Sequence, residues 1–193
     1  MRWNIAGMFA ESLQYPELAD RDLALRPLST DAIEWITAAC QEPAIPRWTT
    51  IPRPYERHHA AEYVAESAAK WSQQAGLRLI VTLDGRRIGM VGLERREPGA
   101  AEIGYWISAA GRGHRAATRA ARLMADWGFN GPWKLDTIRL LTVVGNVASQ
   151  RCCELLGAER GPAPECTVTH AGGPWWAYTW TLAQPGHLRL PSR

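Results

Sequence analysis

The stretch Ala101–Leu123, AEIGYWISAAGRGHRAATRAARL, decides the fold of this chain. Its first half is apolar and aromatic apart from Glu102, which predicts a buried strand. Gly111 and Gly113 supply a flexible corner, and the alanine-rich sequence from His114 onward predicts a helix. A strand that turns directly into a helix aims unpaired backbone N–H groups at one point, where the helix dipole also favours an anion. The stretch therefore predicts a phosphate or pyrophosphate site at its corner.

Cationic side chains cluster at this predicted corner. Arg112, His114 and Arg115 add positive charge where a phosphate would bind, and Arg119 follows one helical turn later. The same residues also suit the solvated basic face of an ordinary helix, so both interpretations stay open at this point. No Gly-Lys-Ser/Thr follows and a third glycine is missing, which excludes a Walker P-loop and a dinucleotide fingerprint.

The composition is that of one globular domain. With 193 residues, 46% of them hydrophobic and 21% charged, the chain can bury a core of its own. A net charge of +3 without any run of lysine or arginine argues against nucleic acid as a partner. No apolar run approaches the roughly 18 residues of a membrane span, and the first residues do not resemble a signal peptide. We therefore expect a cytoplasmic monomer or homodimer with no membrane partner.

The cysteines give no sign of a metal site. Cys40, Cys152, Cys153 and Cys166 lack metal-ligand spacing and contain no C-x-x-C pair. Adjacent cysteines rarely bond each other, so we expect reduced thiols, in keeping with a cytoplasmic location, and no metal.

Hydrophobic periodicity divides the whole chain into strands and helices in the order β-α-α-β-β-β-α-β-α-β-β. Besides the basic helix, three helices are predicted, at residues 31–40, 55–74 and 148–156. Strands are predicted at residues 22–28, 77–82, 87–93, 101–107 and 137–144, with a last antiparallel pair at 158–169 and 175–182. Mixed strands with helices on both faces predict an α/β domain.

The segments outside these elements are predicted to be irregular. Four prolines in residues 41–54 predict a stiff loop without a helix. Residues 1–20 are predicted as an irregular lead-in and residues 184–193 as a loose tail, so that the domain covers residues 21–183.

This element order resembles that of the GNAT superfamily of acyl-CoA-dependent N-acyltransferases. The corner resembles the family's CoA pyrophosphate motif, [Q/R]-x-x-G-x-[G/A], which Arg112–Ala117 fills except that Arg115 replaces the central glycine. An arginine there could offset the missing glycine by a direct charge-assisted bond to the phosphate. A second block agrees, since the family often carries Asn after its fifth strand, a small residue three positions on and Gly eleven positions on, like Asn146, Ser149 and Gly157.

Two further stretches resemble the Rim-type branch, whose members acetylate ribosomal-protein N-termini. They are EIGYW, at residues 102–106, and IPRWTTIPRPYERHHAAEYV, at residues 45–64. The resemblance covers roughly Leu23 to Leu182 and implies the GNAT fold, a mixed central sheet with helices on both faces and a splayed central strand pair. It also implies acetyl-CoA as cosubstrate and a primary amine as acceptor, such as the N-terminal α-amine of a protein or peptide.

The resemblance implies which residues hold acetyl-CoA. Pantetheine would lie between the splayed strands and bond the backbone N–H groups of Trp106, Ile107 and Ser108, one of which would polarise the thioester carbonyl. Asn146 would bond pantetheine, cap the following helix, or do both. The other cofactor contacts would come from the corner, the first turn of its helix and the second block: Arg112, Gly113, His114, Arg115, Ala116, Ala117, Thr118 and Ser149.

Glu102 is the candidate general base of the implied acetyl transfer. It shares a strand face with Gly104 and Trp106, and a carboxylate on a mostly apolar strand would have a raised pKa. The alternative is a structural carboxylate paired with an arginine. The family's usual acid, a tyrosine seven residues after the Asn, is replaced by Cys153. The proton donor to the leaving thiolate is therefore Cys153, Ser149, solvent or the product ammonium.

The acceptor is expected opposite CoA, between the proline-rich loop and the last hairpin. Aromatic residues of these segments would line its site together with Glu102, although a tryptophan can equally fill the core: Trp48, Tyr55, Trp175, Trp176 and Tyr178. His58 and His59 would be rival bases if the loop folded over the site. Few acidic residues occur in these segments, which disfavours a polycationic acceptor. A small-molecule amine and a non-catalytic acyl-CoA-binding protein are the alternatives.

Overall fold

The structure is a computed structural model that describes residues 14–170 and 173–184. Its strands are β1 (Leu18–Asp20), β2 (Leu23–Pro27), β3 (Gly76–Leu83), β4 (Arg86–Glu97), β5 (Ala100–Ile107), β6 (Thr137–Val143), β7 (Glu159–Arg160), β8 (Glu165–His170) and β9 (Gly173–Ala183). Its helices are α1 (Ile33–Ala39), α2 (Ala44–Trp48), α3 (Arg57–Ser72), α4 (Ala116–Asn130) and α5 (Val147–Leu156).

The strands of this part of the chain form one mixed sheet. Their order is β1-β2-β3-β4-β5-β6-β9-β7, and β8 pairs with β9 beside this path. The neighbours are antiparallel except for β5 and β6, which run parallel. The β3–β4 hairpin turns at Asp84 and Gly85, whose φ angles of 47° and 76° are those of the tight turn that an Asp-Gly pair favours.

Helices cover both faces of the sheet. Strand alternation sends Leu79 and Val81 of β3 into a core cluster with α4 and α5, whereas Ile80 joins a second cluster with α1 and α3. Every residue of β3 is buried, as expected for a strand with a helix layer on each side. The α/β class and the helices on both faces are therefore confirmed.

The central parallel pair is open along half of its length. β5 and β6 pair only between Ala100–Ile103 and Thr137–Leu140. Beyond these residues β5 stays paired with β4 up to Ile107, and β6 stays paired with β9 up to Val143. The sheet therefore splits in its middle, which confirms the splayed strand pair.

The proline-rich segment differs from its prediction, because Ala44–Trp48 form the short helix α2. Pro43 stands immediately before this helix and Pro46 is its third residue. The first N–H groups of a helix have no intrahelical acceptor, so a proline in the first turn removes no hydrogen bond. Pro43 and Pro46 are therefore compatible with this short helix.

Several element boundaries also differ. Within the predicted irregular lead-in, residues 18–20 form β1, which pairs antiparallel with β2; residues 1–13 lie outside the described part. A 3-10 turn, Thr30–Ala32, precedes α1. The last antiparallel pair is confirmed, but its first arm is broken into β7 and β8 around Pro162 and Pro164, since proline cannot donate to a strand ladder. Only residue 184 of the predicted tail is described.

None of the helices between residues 14 and 184 that the structure describes is both long and apolar enough to cross a bilayer.

Candidate active site

A cavity of about 1000 Å³ opens where β5 and β6 separate. One end of it, which we call the corner end, is formed by Gly111–Gly113 and the first turn of α4. The other, which we call the carboxylate end, is formed by Glu94 and Glu102 with their cationic partners. Ser108, His114, Cys153, Trp176 and Tyr178 are the predicted site residues that do not line the cavity.

The backbone amides of β5 face the cavity in alternation. The N–H of Ser108 donates to the carbonyl oxygen of Ile88, near the start of β4, at 2.8 Å. This N–H is therefore not available to a ligand. Amides of a strand point alternately to its two neighbours, which turns Trp106 the same way as Ser108. The amides of Tyr105 and Ile107 therefore face the gap beside β6. Of the three predicted amides, Ile107 keeps its place, and Tyr105 joins it.

The backbone at the corner explains the glycine of the family motif. Arg115, which stands at that position, immediately precedes α4 and has a left-handed φ of 53°. A side chain in this region costs about 1–2 kcal/mol, and glycine avoids that cost. The Arg115 side chain makes no capping hydrogen bond to α4. The amides of Ala116, Ala117 and Thr118 have no intrahelical acceptor, so they can bind an anion. The predicted anion corner thus has the required backbone.

Two arginines near the corner already have carboxylate partners. Glu42, between α1 and α2, accepts from the N–H of Ala109 at 2.8 Å and from the guanidinium of Arg112 at 3.4 Å. Arg119 donates to the carboxylates of Asp20 and Asp22, each at 2.7 Å, and this bond lowers the pKa of Asp22. Arg119 therefore connects β1 to α4. Its position one helical turn after Arg115 had allowed it to bind a phosphate, but its guanidinium is already bonded to two carboxylates.

Glu102 lies at the opposite end of the cavity in an ion pair. Its Oε1 accepts from Arg96 Nη2 at 2.8 Å, which is the structural pairing that the sequence left open beside the base role. Trp106 stacks on Trp35 at 5.6 Å, whereas Ile103 packs in the core with α4. The face shared by Glu102 and Trp106 is thus the α1/α3 face of the sheet.

A second carboxylate stands beside Glu102. Glu94 of β4 is its register partner and accepts from Lys70 and from Arg78, each at 2.6 Å. Arg78 also donates to Glu66 at 2.9 Å, and this bond lowers the pKa of the Glu66 carboxyl. Arg78 is only 9% exposed, so its ion pair with Glu94 is the largely buried part of the charges at the carboxylate end.

The predicted proton donors differ in their access to the cavity. Cys153 is fully buried in the core, and burial raises its pKa to about 12. One residue earlier on α5, Cys152 lines the cavity instead, because successive helix positions point about 100° apart. Ser149 also lines the cavity, and its N–H donates to Asn146 Oδ1 at 3.2 Å. Asn146 therefore caps α5, one of its two predicted roles.

The structure adds a tyrosine that sequence reasoning did not assign to the site. Tyr105 lines the cavity, and its hydroxyl lies 3.0 Å from Ser149 Oγ. Burial raises the pKa of this phenol. Tyr105 lies three residues after Glu102 on the same strand, so alternation places it on the opposite face of the sheet, where α4 and α5 pack. Its contact with Ser149 follows only from the tertiary structure.

The predicted acceptor aromatics divide into two groups. Trp48, Tyr55 and Trp175 line the cavity, and the ring of Trp48 comes within 3.8 Å of where a Cβ at Gly145 would lie. The helix α2 thus reaches the loop between β6 and α5 across the cavity. The other two do not line it: Trp176 is 53% exposed, and Tyr178 carries the Arg160 guanidinium over its ring.

Comparison with known proteins gives one family and a shared fold. A family model described as Acetyltransferase (GNAT) domain matches residues 22–159. Among curated proteins, no sequence matches this chain. The RimL ribosomal L7/L12 alpha-N-protein acetyltransferase in complex with coenzyme A is 13% identical at a TM-score of 0.78, over 87% of this chain and 98% of that chain.

Two further solved structures share the same fold. The ribosomal-protein-S5-alanine acetyltransferase from Vibrio fischeri is 13% identical at a TM-score of 0.76, over 88% of this chain and 97% of that chain. The microcin C7 self immunity acetyltransferase MccE, in complex with acetyl-CoA and AMP, is 15% identical at a TM-score of 0.77, over 86% and 94%. Since the family model spans well over half of its length, the chain belongs to the GNAT acetyltransferase family and is an N-acetyltransferase.

Proposed function

We propose that this enzyme takes acetyl-CoA into the cavity and transfers its acetyl group to the N-terminal α-amine of a protein or peptide. The observation that carries the proposal is the continuity of the cavity from the open amides of α4 to the carboxylates of Glu94 and Glu102. One end suits the pyrophosphate of a donor, and the other suits the ammonium group of an acceptor.

The corner end fits the phosphates by backbone and charge. The uncapped amides of α4 and the positive end of its dipole attract an anion. Arg112 and Arg115 line the same space and can add charge-assisted bonds. The Arg112 guanidinium also contacts Glu42 at 3.4 Å, so a bound phosphate would compete with this carboxylate for it.

The gap between β5 and β6 fits the pantetheine arm. From the corner, the arm would run back along β5 toward Glu102. Four residues of strand, from Ser108 to Gly104, span about 13 Å. The amides of Ile107 and Tyr105 face this path, and the one nearest the thioester would stabilise the oxyanion that forms during transfer.

The acetyl transfer needs a base at the carboxylate end and an acid near the sulfur. The acceptor ammonium would displace Arg96 from Glu102, which then accepts a proton directly or through a water. The free amine attacks the carbonyl carbon, so that an N–C bond forms, the C–S bond breaks and its electron pair stays on sulfur. Ser149 gives a proton to this thiolate, and the proton that the amine released restores Ser149.

The charges at the carboxylate end favour an acceptor with one positive charge. Here three cationic groups face three carboxylates: Lys70, Arg78 and Arg96 against Glu66, Glu94 and Glu102. A balanced network offers no excess negative charge to a polycation. RimL and the S5-alanine acetyltransferase, which share the fold, are named for protein acceptors, and this makes a peptide α-amine the first acceptor to test.

Two measurements test the proposal. Calorimetric titration with acetyl-CoA should give micromolar binding that Arg112→Ala and Arg115→Ala each weaken about fivefold, as loss of a charge-assisted bond predicts. The matched control is Arg86→Ala, which removes an exposed arginine on β4 outside the cavity. Acetylation would then be followed over peptides with free N-termini, peptides with blocked N-termini and an internal lysine, and small amines.

The outcomes separate the parts of the proposal. Turnover restricted to free peptide N-termini would support it in full. Turnover restricted to lysine side chains or to small amines would replace the acceptor and leave the donor site standing. Absence of acetyl-CoA binding would overturn the assignment of the corner.

A further inference from the structure

Tyr105 stands where β5 leaves its parallel neighbour. Ile103 is the last β5 residue that pairs with β6, so Tyr105 lies two residues into the gap and on the same face of the sheet. Its hydroxyl lies 3.0 Å from the hydroxyl of Ser149 and 3.4 Å from the Ser149 carbonyl oxygen. A side chain from one strand of the split thus reaches the helix that follows the other.

Ser149 is held in place by its own backbone. Its N–H donates to Asn146 at the start of α5, which leaves only the side-chain rotation of the hydroxyl free. A serine hydroxyl has one proton to donate and can accept from a second group. If Tyr105 donates to it, the serine proton must point elsewhere, and the cavity is the open direction, because both side chains line it.

The phenol has more than one hydrogen-bond partner, because its hydroxyl also lies 3.4 Å from the Ser149 carbonyl oxygen and within hydrogen-bonding reach of the Cys152 thiol. Burial raises the pKa of the thiols of Cys152 and Cys153. Burial also raises the pKa of Tyr105 itself, so the phenol keeps its proton. The 3.0 Å distance allows either hydroxyl of this pair to donate, and a protonated phenol has the proton that this takes.

We propose that Tyr105 is the positioning residue of the acid: it donates a hydrogen bond to Ser149 Oγ and turns the serine proton toward the sulfur of the leaving thiolate. This inference rests on the proposed function. The phenol comes from β5, whereas the tyrosine that the family motif predicts would come from α5, where this chain has Cys153.

The proton transfers balance along this pair. When the C–S bond breaks, the proton of Ser149 moves to sulfur, and the hydrogen bond from the protonated phenol of Tyr105 stabilises the serine oxygen that loses it. The proton that the acceptor amine gives up returns to Ser149 through water, so the serine oxygen gains one proton as it loses the other. Amine, thioester, Ser149 and Tyr105 thus yield amide, thiol and the same two side chains.

The experiment compares Tyr105→Phe, Ser149→Ala and the double variant in peptide acetylation, with acetyl-CoA affinity measured separately. We expect Tyr105→Phe to lower kcat about tenfold, with KM for the peptide and Kd for acetyl-CoA within twofold of wild type. The double variant should be no slower than Ser149→Ala, because residues that act through each other lose their effect together. Tyr15→Phe, which removes the hydroxyl of a tyrosine that stacks on Trp71 and does not line the cavity, is the control for loss of a phenol.

Other outcomes overturn the inference. A kcat for Tyr105→Phe within twofold of wild type would show that the phenol does not act through Ser149. Losses that multiply in the double variant, or a Kd for acetyl-CoA that rises as much as kcat falls, would assign Tyr105 to packing. Wild-type protein that binds acetyl-CoA but acetylates no amine would overturn the proposed function, and this inference with it.

Discussion

At the corner end of the cavity the chain uses its backbone, whereas at the carboxylate end it uses charged side chains. The corner end comes from one continuous stretch, residues 111–118, with its left-handed turn and the start of α4. The carboxylate end takes side chains from α3, β3, β4 and β5. A donor common to a family can be held by local backbone geometry, whereas an acceptor particular to one enzyme is selected by a tertiary network that can change independently.

The largest effect that would sharpen this contrast is expected from Glu102→Gln. Loss of the base should lower kcat/KM for the acceptor about 10³-fold, since general base catalysis contributes about 10²–10⁴. The Kd of acetyl-CoA should stay within twofold, because the amide keeps the shape of the side chain. Steady-state kinetics and calorimetry check the two halves of this expectation.

The control for this change is Glu97→Gln, which removes an exposed carboxylate paired with Arg139 outside the cavity. If Glu94→Gln abolished transfer while Glu102→Gln retained it, the base would be Glu94.

Arg78→Met should produce the next largest effect, on stability. Removing one partner of a largely buried ion pair leaves Glu94 and Glu66 without this cation and costs about 3 kcal/mol of unfolding free energy. Chemical denaturation measures this loss, and acetyl-CoA should bind the folded variant as it binds wild type. An equal loss of acetyl-CoA affinity would show that the two ends of the cavity are coupled. Lys70→Met removes the more exposed cation of the same network and should cost less.

Gly104→Val should affect the acceptor alone. Among the described residues, no atom lies within 4 Å of a Cβ built at Gly104, and the glycine lies on the cavity floor in register with Gly92. The added side chain would fill space that the acceptor needs, so kcat/KM for peptides should fall at least about tenfold, as for one or two misplaced methyl groups in a binding site. Unchanged peptide kinetics would mean that the acceptor does not cross this floor.

The control for steric addition is Ala183→Val, at the exposed end of β9 and outside the cavity. It adds the same branched side chain to a strand, and we expect wild-type kinetics from it.

The smallest effect is expected from Glu42→Gln, at the corner end. The Glu42 carboxylate, which also accepts from the Ala109 amide, would compete with the phosphates for Arg112. Both side chains are partly exposed, so water screens the pair. Removing the charge should lower the Kd of acetyl-CoA about threefold, in line with a surface ion pair. Calorimetric titration of the variant with acetyl-CoA measures this change. A Kd above that of wild type would instead make Glu42 part of the binding site.

The sequence predicted the fold and the corner because their signals are local. Strand, glycine corner and helix follow one another between residues 101 and 123, so residues that are close along the chain are also close in the structure. The Asp84-Gly85 turn and the capping residue Asn146 are local in the same sense. The shared face of Glu102 and Trp106 followed from strand parity alone.

The remaining features depend on contacts between distant segments. The pairing of Glu42 with Arg112 joins residues 70 positions apart, and that of Tyr105 with Ser149 joins residues 44 positions apart. The amide of Ser108 faces β4 because of the register, which periodicity does not fix. Cys153 stands at the position of the family's acid, but its side chain lies in the core. The neighbouring residue on α5, Cys152, lines the cavity instead.

The contact of Trp48 with the loop at Gly145 has a consequence for the order of events in catalysis. Trp48 and Gly145 approach each other across a cavity whose two ends offer separate places to donor and acceptor. We therefore expect that neither substrate has to depart before the other arrives, and that both meet in one ternary complex. Double-reciprocal plots of initial rates should intersect, and no acetylated enzyme should accumulate when acetyl-CoA is supplied alone.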